Sequence, residues 1–298
     1  MFYYAKPTSV RLDDPPIDFS RLWQRIDFRG YITHADNQQW YMGSMERNAH
    51  GFPDFAAAVI AQMRRRGLLS QTYIQDALRY CRSMVEAEGY EQTVPPHLSD
   101  SSTSTSHVIL VFGCQGPEVR DARARACFQL VKNLRHVPLK IVFSGKNPST
   151  TDSRKVILTR DEAAALQAEF QRLLERDPTF DGRNFTFALE QQANSTAGNL
   201  KHFLQGPYLE RNRPAQLFLL SSTFHLGRIA QETDAALASY PDLGSGIARL
   251  VLVGAEDDAE EAIVSDERYV KAMMYEVFRH MFQHAPPAFR RDEYDGAV

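Results

Sequence analysis

The stretch AQLFLLSSTFHLGRIA, residues 215–230, changes character halfway along. An apolar run stops at two serines, and then Thr223, His225 and Arg228 follow within a few positions. A continuous apolar run of this length is typical of a parallel strand that is buried on both faces. Polar residues directly after such a strand lie at the carboxyl edge of the sheet, which is where α/β proteins bind ligands. The stretch therefore predicts both a fold and a place for a site.

Four more apolar runs of this kind occur after residue 106, and longer amphipathic segments separate them. They are HVILVFG (107–113), LKIVFSG (139–145), NFTFALE (184–190) and ARLVLVG (248–254). Strict alternation of strands with helices indicates right-handed crossovers and an α/β fold. We expect a Rossmann-like, doubly wound parallel sheet of five strands in the order 3-2-1-4-5.

The sequence before these runs has a helical pattern. Gly67 is placed to end one helix, and Ile74, Ala77 and Cys81 share one face of the next. The segment TVPPHLSDSSTSTSH then combines prolines with a Ser/Thr run, a composition that cannot form a packed core. The predicted parts are a helical N-terminal region (1–94), a Ser/Thr/Pro linker (95–106), the α/β domain (107–284) and a flexible tail (285–298).

Composition limits the classes of function. The 298 residues are 43% hydrophobic and 24% charged, as in an ordinary soluble protein. The net charge of −3 argues against non-specific nucleic-acid binding. No apolar run is long enough to cross a membrane and no signal peptide is evident, so we expect a cytoplasmic protein without membrane insertion. The three cysteines show no metal-ligand spacing, and we expect free thiols and no metal site.

The first strand is followed by FGCQGPEVRDAR, residues 112–123. Gly113 and Gly116 would let the backbone approach an anion at the start of the next helix. A tight strand-to-helix turn explains the two glycines equally well. Arg120, with an arginine one helical turn later, could hold a phosphate. Cys114 lies where a thiol pKa can fall, although most cysteines in such places are simply packed.

The next two strands also end in small or polar residues. Glu162 lies three residues after Thr159, which is a capping-box pattern, so a structural role alone could explain it. Ser195 is a plausible N-cap for the helix after the third strand. The candidate site residues in this part are Ser144, Gly145, Glu162, Glu190, Thr196 and Asn199.

The fourth strand leads into the polar group of the opening stretch. His225 and Arg228 are three residues apart, so they lie on one helix face. A neutral histidine can act as acid or base, and an arginine can hold a phosphate or carboxylate. Together with Thr223 these residues would join the groups after the other strands at one edge of the sheet.

These segments also resemble a bacterial family. VILVFGCQG, IVFSG, RDEAAAL, EQQANSTAGNL and LLSSTFHLGRIA occur in the order and spacing of the domain of unknown function numbered 218, the YdcF/SanA/ElyC-like proteins. The resemblance covers roughly residues 107–235. It implies a Rossmann-like α/β/α fold and a polar set carried over as Gly113, Ser144, Gly145, Glu162, Glu190, Thr196, Asn199, His225 and Arg228.

The sequence departs from that family at two points. Cys114 stands where the family often has a second glycine. A soluble helical segment replaces the family's N-terminal membrane anchor, which argues against a role in the cell envelope.

The residues and the resemblance together predict a small-molecule site for a nucleotide-like or phosphorylated ligand, with a nucleotide or adenosyl compound as the expected type. If the site is catalytic, His225 is the acid or base and Glu190 or Glu162 is its carboxylate partner. The alternative is a non-catalytic module that senses a ligand or binds a protein.

Overall fold

The structure is a computed structural model, and it divides the chain into two compact units. One unit comprises Met1–Asp13 with Met84–Ala259, and the other comprises Asp14–Ser83 with Glu260–Val298. The residues that the structure describes are 2–5, 65, 67, 74, 77–78, 80–81, 91–92, 106–114, 116–134, 137–150, 157–177, 185–210, 215–244, 246–255, 273–274 and 276–277.

The first unit contains a parallel sheet and a small hairpin. The strands are β1 (Phe2–Ala5), β2 (Glu91–Gln92), β3 (Ser106–Phe112), β4 (Leu139–Ser144), β5 (Pro148–Thr150), β6 (Ile157–Asp161), β7 (Phe185–Glu190), β8 (Ala215–Ser222) and β9 (Ile247–Ala255). Seven of them form one sheet in the order β2-β1-β9-β8-β3-β4-β7, and every pairing in it is parallel. The five predicted strands stand in the predicted order 3-2-1-4-5, which confirms the fold class.

The helices follow the strands and cover both faces of the sheet. They are α1 (Pro117–Asn133), α2 (Glu162–Arg176), α3 (Thr196–Gln205), α4 (Thr223–Ser239) and the short α5 (Pro241–Gly244). Helices α1 and α2 pack on one face, and helices α3 and α4 pack on the other.

Strand β3 shows why its sequence is continuously apolar. Val108, Leu110 and Phe112 belong to the core under α3 and α4. Ile109 and Val111 belong to the core under α1 and α2. A strand that contacts helices on both faces has no polar face, and the apolar run in the sequence follows from that.

The sheet order reverses between β3 and β8. From β3 the chain moves outward to β4 and β7, and it then returns past β3 to β8 and β9. The helices that leave β3 and β8 therefore lie on opposite faces. Their first turns flank the topological switch point, where open α/β sheets bind ligands.

Several elements differ from the sequence analysis or add to it. Strand β1 lies in the region predicted as helical and pairs with β9, and β2 pairs with β1. The antiparallel β5–β6 hairpin lies between β4 and α2. Ser106, predicted as the last linker residue, is the first residue of β3. The remaining linker residues and the predicted tail lie outside the described residues.

In the second unit, part of the predicted helical pattern is described. Ile74, Ala77 and Cys81 are helical and buried, as their spacing predicts. Gly67 has a φ of +65°, which suits a glycine that ends a helix. Among the helices of the described residues, none has the length and apolar character needed to span a membrane.

Candidate functional site

Helices α1 and α4 begin without a side-chain cap, directly after the two strands at the switch point. The residue before α1 is Gly116, which has no side chain to offer. The residue before α4 is Ser222, whose side chain makes no capping bond. Helices α2 and α3 differ, because Asp161 and Ser195 each accept a bond from a first-turn N–H group, at 2.8 and 3.1 Å. First-turn N–H groups have no partner within their own helix, so an uncapped helix start favours an anion.

Arg123 on α1 links the ends of β3 and β8. Its Nη1 donates to the carbonyl oxygens of Phe112 and Gly113, both at 2.7 Å, and its Nε donates to Ser222 Oγ at 3.0 Å. The side chain is only 3% exposed. Within the described part of the chain, no carboxylate forms an ion pair with it. Arg123 is thus a buried positive charge that is bonded only to neutral groups.

The Glu162 carboxyl lies against the glycines that follow β3 and β4. A Cβ placed on Gly113 would lie 2.6 Å from Glu162 Cβ, and one on Gly145 would lie 2.6 Å from Glu162 Oε2. Gly145 also has a φ of +136°, a conformation that side chains other than glycine rarely adopt. Of the three glycines predicted as site residues, Gly113 and Gly145 therefore make room for Glu162, whereas Gly116 does not contact it.

Glu162 is buried but only weakly hydrogen-bonded. Its Oε2 accepts one long bond of 3.4 Å from Asn147 Nδ2. Burial raises the pKa of Glu162 from its ordinary 4.5 to about 7, Arg123 and the Asn147 bond lower it, and Asp161 raises it. A carboxyl with this pKa can be either protonated or ionised at neutral pH, which is the property that acid–base chemistry requires.

Glu190 has a different environment at the end of β7. Its Oε2 accepts from Ser144 Oγ at 2.6 Å. Its Oε1 accepts from the backbone N–H groups of Gln192 and Ala193, at 2.7 and 3.1 Å. Both oxygens thus hold the turn after β7 and the end of β4. This role accounts for Glu190 and Ser144 without a ligand.

The ring of His225 lies between two hydroxyl groups. Its Nδ1 is 2.9 Å from Ser221 Oγ, and its Nε2 is 3.1 Å from Thr196 Oγ1. The Phe112 ring meets it edge-on, with ring centroids 6.2 Å apart. The two hydroxyls fix the orientation of the ring, and they accommodate either tautomer because a hydroxyl can both donate and accept. The structure thus brings Thr196 and His225 together.

The predicted carboxylate partners of His225 do not bond to it. Every hydrogen bond described for the Glu190 carboxylate comes from Ser144 or from the turn after β7. Glu162 bonds to Asn147 and lies beside the ends of β3 and β4. Glu162 begins α2, which packs on the face of the sheet opposite to α4. Strand β3 therefore separates Glu162 from His225.

The capping-box interpretation of Thr159 and Glu162 is wrong. Thr159 belongs to β6, and the N-cap of α2 is Asp161. Glu162 is the first residue of the helix, so its side chain cannot reach back as a capping-box glutamate does. The chain stays extended through Asp161 because β6 pairs with β5. Ser195 is the N-cap of α3, as predicted.

Two candidate residues have buried oxygens without partners. Asn199 Oδ1 and Thr223 Oγ1 have no hydrogen-bond partner among the described residues. Asn199 lies one turn after Thr196 on α3 and is 7% exposed. Thr223 is fully buried and occupies the space that a Cβ on Gly254 would need. Asn199 therefore offers an acceptor at the edge of the site, whereas Thr223 lies beneath it.

The remaining candidates lie before and on the first turn of α1 and on the second turn of α4. Arg120 is buried rather than on the surface, and its charge acts on Cys114. Burial raises the pKa of Cys114 to about 11, and its thiol donates to Gly116 O at 3.2 Å. A thiol with this pKa stays protonated at neutral pH, which counts against a nucleophile. Arg228 is half-buried one turn after His225.

Two residues that determine the site's geometry had no role assigned to them in the sequence analysis. Ser221 orients His225 from four residues before it, and Asn147 bonds to Glu162 across the β5–β6 hairpin. The spacing of Ser221 and His225 is visible in the sequence, but a strand-to-helix junction lies between them. The Asn147 contact depends on a hairpin that the sequence pattern does not reveal.

No group of three or more His, Cys, Asp or Glu side chains in the described residues could hold a metal ion.

No protein-family model matches the chain, and comparisons with curated proteins and with solved structures found no match either. The resemblance to the family numbered 218 therefore stays a prediction.

Proposed function

We propose that this chain binds a phosphorylated or nucleotide-like small molecule at the carboxyl edge of its sheet, between β3 and β8. The observation that carries the proposal is the pair of uncapped helix starts, α1 and α4, on opposite faces of the sheet at adjoining strands. Each helix start offers N–H groups and the positive end of a helix dipole. Two such starts at one switch point favour an anion more strongly than either does alone.

Two side chains add support from different chemistry. The Arg123 charge is buried at the same strand ends and has only neutral bonded partners, so an anion nearby would offset the cost of its burial. Asn199 Oδ1 is a buried acceptor that a donor group of the ligand could satisfy. A ligand that combines an oxyanion with hydroxyl or amino donors could offset the Arg123 charge and also donate a hydrogen bond to Asn199 Oδ1. The net charge of −3 makes a small molecule a better partner than a nucleic acid.

The resemblance to the family numbered 218 points in the same direction, because the residues that carry it meet at this edge. In a catalytic version of the site, His225 transfers the proton, with Thr196 and Ser221 as its bonded groups. Glu162 then supplies a second titratable group on the opposite side of β3. A cytoplasmic location belongs to the same proposal.

A non-catalytic, ligand-sensing role is the second candidate. It is favoured by the buried hydroxyls that occupy both ring nitrogens of His225. A ring held in this way must break one of these bonds before it can move a proton of the ligand. Turnover of a bound phosphate ester would distinguish the two candidates.

Native mass spectrometry of the purified protein tests the proposal directly. A bound phosphorylated compound of defined mass, lost on denaturation, is the expected result. Protein that carries no such compound and does not bind nucleoside 5′-monophosphates or inorganic phosphate in calorimetry would refute the anion site.

Arg228→Ala tests whether the second turn of α4 contributes to the site. We expect binding of a nucleoside 5′-monophosphate to weaken by roughly 10- to 150-fold, the worth of a charge-assisted hydrogen bond. The melting temperature should change little. Arg172→Ala is the matched control, because Arg172 is exposed on α2 and pairs with Glu169. A variant that melts lower but binds normally would show that Arg228 only secures the helix.

A further inference from the structure

One carboxyl oxygen of Glu162 has no hydrogen-bond partner among the described residues. Glu162 is 7% exposed, and its Oε2 has the single long bond from Asn147. Within the described residues, Oε1 accepts no hydrogen bond. Buried carboxylates are normally satisfied by several donors. A carboxyl of a buried residue with one oxygen that no described residue bonds indicates a place for a further group.

The carboxyl lies next to the proposed anion position. No side chain separates it from the ends of β3 and β4, because Gly113 and Gly145 stand there. Helix α1 starts within four residues of Gly113, and Arg123 of that helix bonds to Gly113 O. An oxyanion at the start of α1 would therefore approach both Arg123 and the Glu162 carboxyl.

A second negative charge beside a buried carboxylate is unfavourable unless the two share a proton. We propose that Glu162 shares one proton with the bound oxyanion and so determines which protonation states of the ligand the site accepts. This inference rests on the proposed anion site. Hydrogen phosphate brings its own proton and can donate it to an ionised Glu162. Sulfate has none, so Glu162 must itself be protonated to donate to it.

The groups around Glu162 suit such a role near neutral pH. Burial raises the pKa of its carboxyl to about 7, and Arg123 on α1 opposes that rise. Asp161, the last residue of β6, raises it, and the Cys114 thiol after β3 stays protonated with its pKa at about 11. Strand β4 presents Ser144, which is bonded to Glu190 of β7, and β5 has no titratable residue. With its pKa at about 7, Glu162 therefore changes charge between pH 6 and 8.

Calorimetric titration with sulfate and with inorganic phosphate, from pH 6 to 9 at constant ionic strength, tests this inference. Sulfate binding must take up one proton above the pKa of Glu162, so its Kd should rise about tenfold from pH 8 to pH 9. Hydrogen phosphate needs no uptake, so its Kd should change by less than about twofold over the same step.

Glu162→Gln sharpens the test, because an amide donates to an oxyanion at every pH. The variant should bind sulfate with a Kd that is flat from pH 7 to 9. Glu175→Gln is the matched control, since Glu175 is exposed on the same helix, and it should keep the steep sulfate dependence.

The outcomes separate this inference from the proposed function. Binding of both anions with the same pH dependence would overturn the role of Glu162 and leave the anion site standing. Failure of both anions to bind at any pH would overturn the site and the inference together. The comparison of sulfate with phosphate uses the unaltered protein, so it holds even if the glutamine variant does not fold.

Discussion

Two glutamates beside neighbouring strand ends, Glu190 and Glu162, are both buried and yet have different roles. Glu190 is 2% exposed and receives three hydrogen bonds from Ser144 and the turn after β7. Glu162 is 7% exposed and receives one long bond from Asn147. The Glu190 carboxylate holds the turn after β7 in place, and the Glu162 carboxyl can still accept further hydrogen bonds.

The difference shows that burial alone does not identify a functional acid. A buried carboxylate with several donors stabilises the backbone around it, as Glu190 does for the turn after β7. A buried carboxyl with few donors has a raised pKa, and it gains from any ligand that supplies the missing bond. Hydrogen-bond satisfaction therefore separates the two roles that the sequence analysis had grouped together.

The largest expected effect comes from Glu190→Ala. The change removes the acceptor of one hydroxyl and two backbone N–H groups in a buried turn. Unsatisfied buried donors are costly, so the free energy of unfolding should fall by about 3–5 kcal/mol in urea denaturation. Glu175→Ala on the surface of α2 should cost less than about 0.5 kcal/mol. A single hydrogen bond contributes about 1 kcal/mol. If Glu190→Ala lowers the free energy of unfolding by less than about 1 kcal/mol, Glu190 does not have the structural role assigned to it.

Glu162→Gln should act through the pH dependence of stability. Because the pKa of Glu162 is raised from 4.5 to about 7, the folded protein keeps a proton between those values that the unfolded chain has released. Stability must therefore fall as pH rises through this window, and it should show no further loss from this group at higher pH. The unaltered protein should lose up to ~3 kcal/mol more than the glutamine variant, since one pKa unit corresponds to about 1.4 kcal/mol.

Urea denaturation of both proteins at pH 4.5, 6 and 7.5 measures this difference. Every other titrating group is common to the two, so their stability curves should diverge only through Glu162. Parallel curves would mean that Glu162 titrates normally in the folded protein, and the contrast with Glu190 would then be lost.

The sheet was predictable because its sequence signals are local and repeated. Each of the five predicted strands is a continuous apolar run, and an amphipathic segment follows it. Strands β1 and β2 have only four and two residues, too few to carry a pattern. Their place is decided by pairing with β9 and with each other, which are contacts distant in sequence. The β5–β6 hairpin was missed because its strands, PST and ILTRD, do not form apolar runs.

The location of the site was predictable from the sequence, but the hydrogen bonds between its side chains were not. Parallel strands place all their carboxyl ends at one edge, so polar residues after each strand were expected to gather there. Which of them bond to each other depends on side-chain geometry across several strands. The sequence therefore indicated both glutamates, but it could not tell that Ser144 satisfies one while Asn147 barely reaches the other.

The smallest expected effect tests the backbone between the two carboxyls. Gly145 donates its N–H to Glu190 O at 3.0 Å, and a Cβ there would lie 2.6 Å from Glu162 Oε2. Gly145→Ala should cost about 2 kcal/mol of unfolding free energy, because its φ of +136° strains any side chain and the new methyl displaces the Glu162 carboxyl. In a Glu162→Ala background the carboxyl is gone, and the strain and the 3.0 Å contact with the Cβ of residue 162 remain, so the cost should fall by at least about 0.5 kcal/mol. Urea denaturation of the four proteins in this cycle measures the coupling. Additive effects would show that the methyl group does not meet Glu162, and that the glycine is required by the backbone and its bond to Glu190 alone.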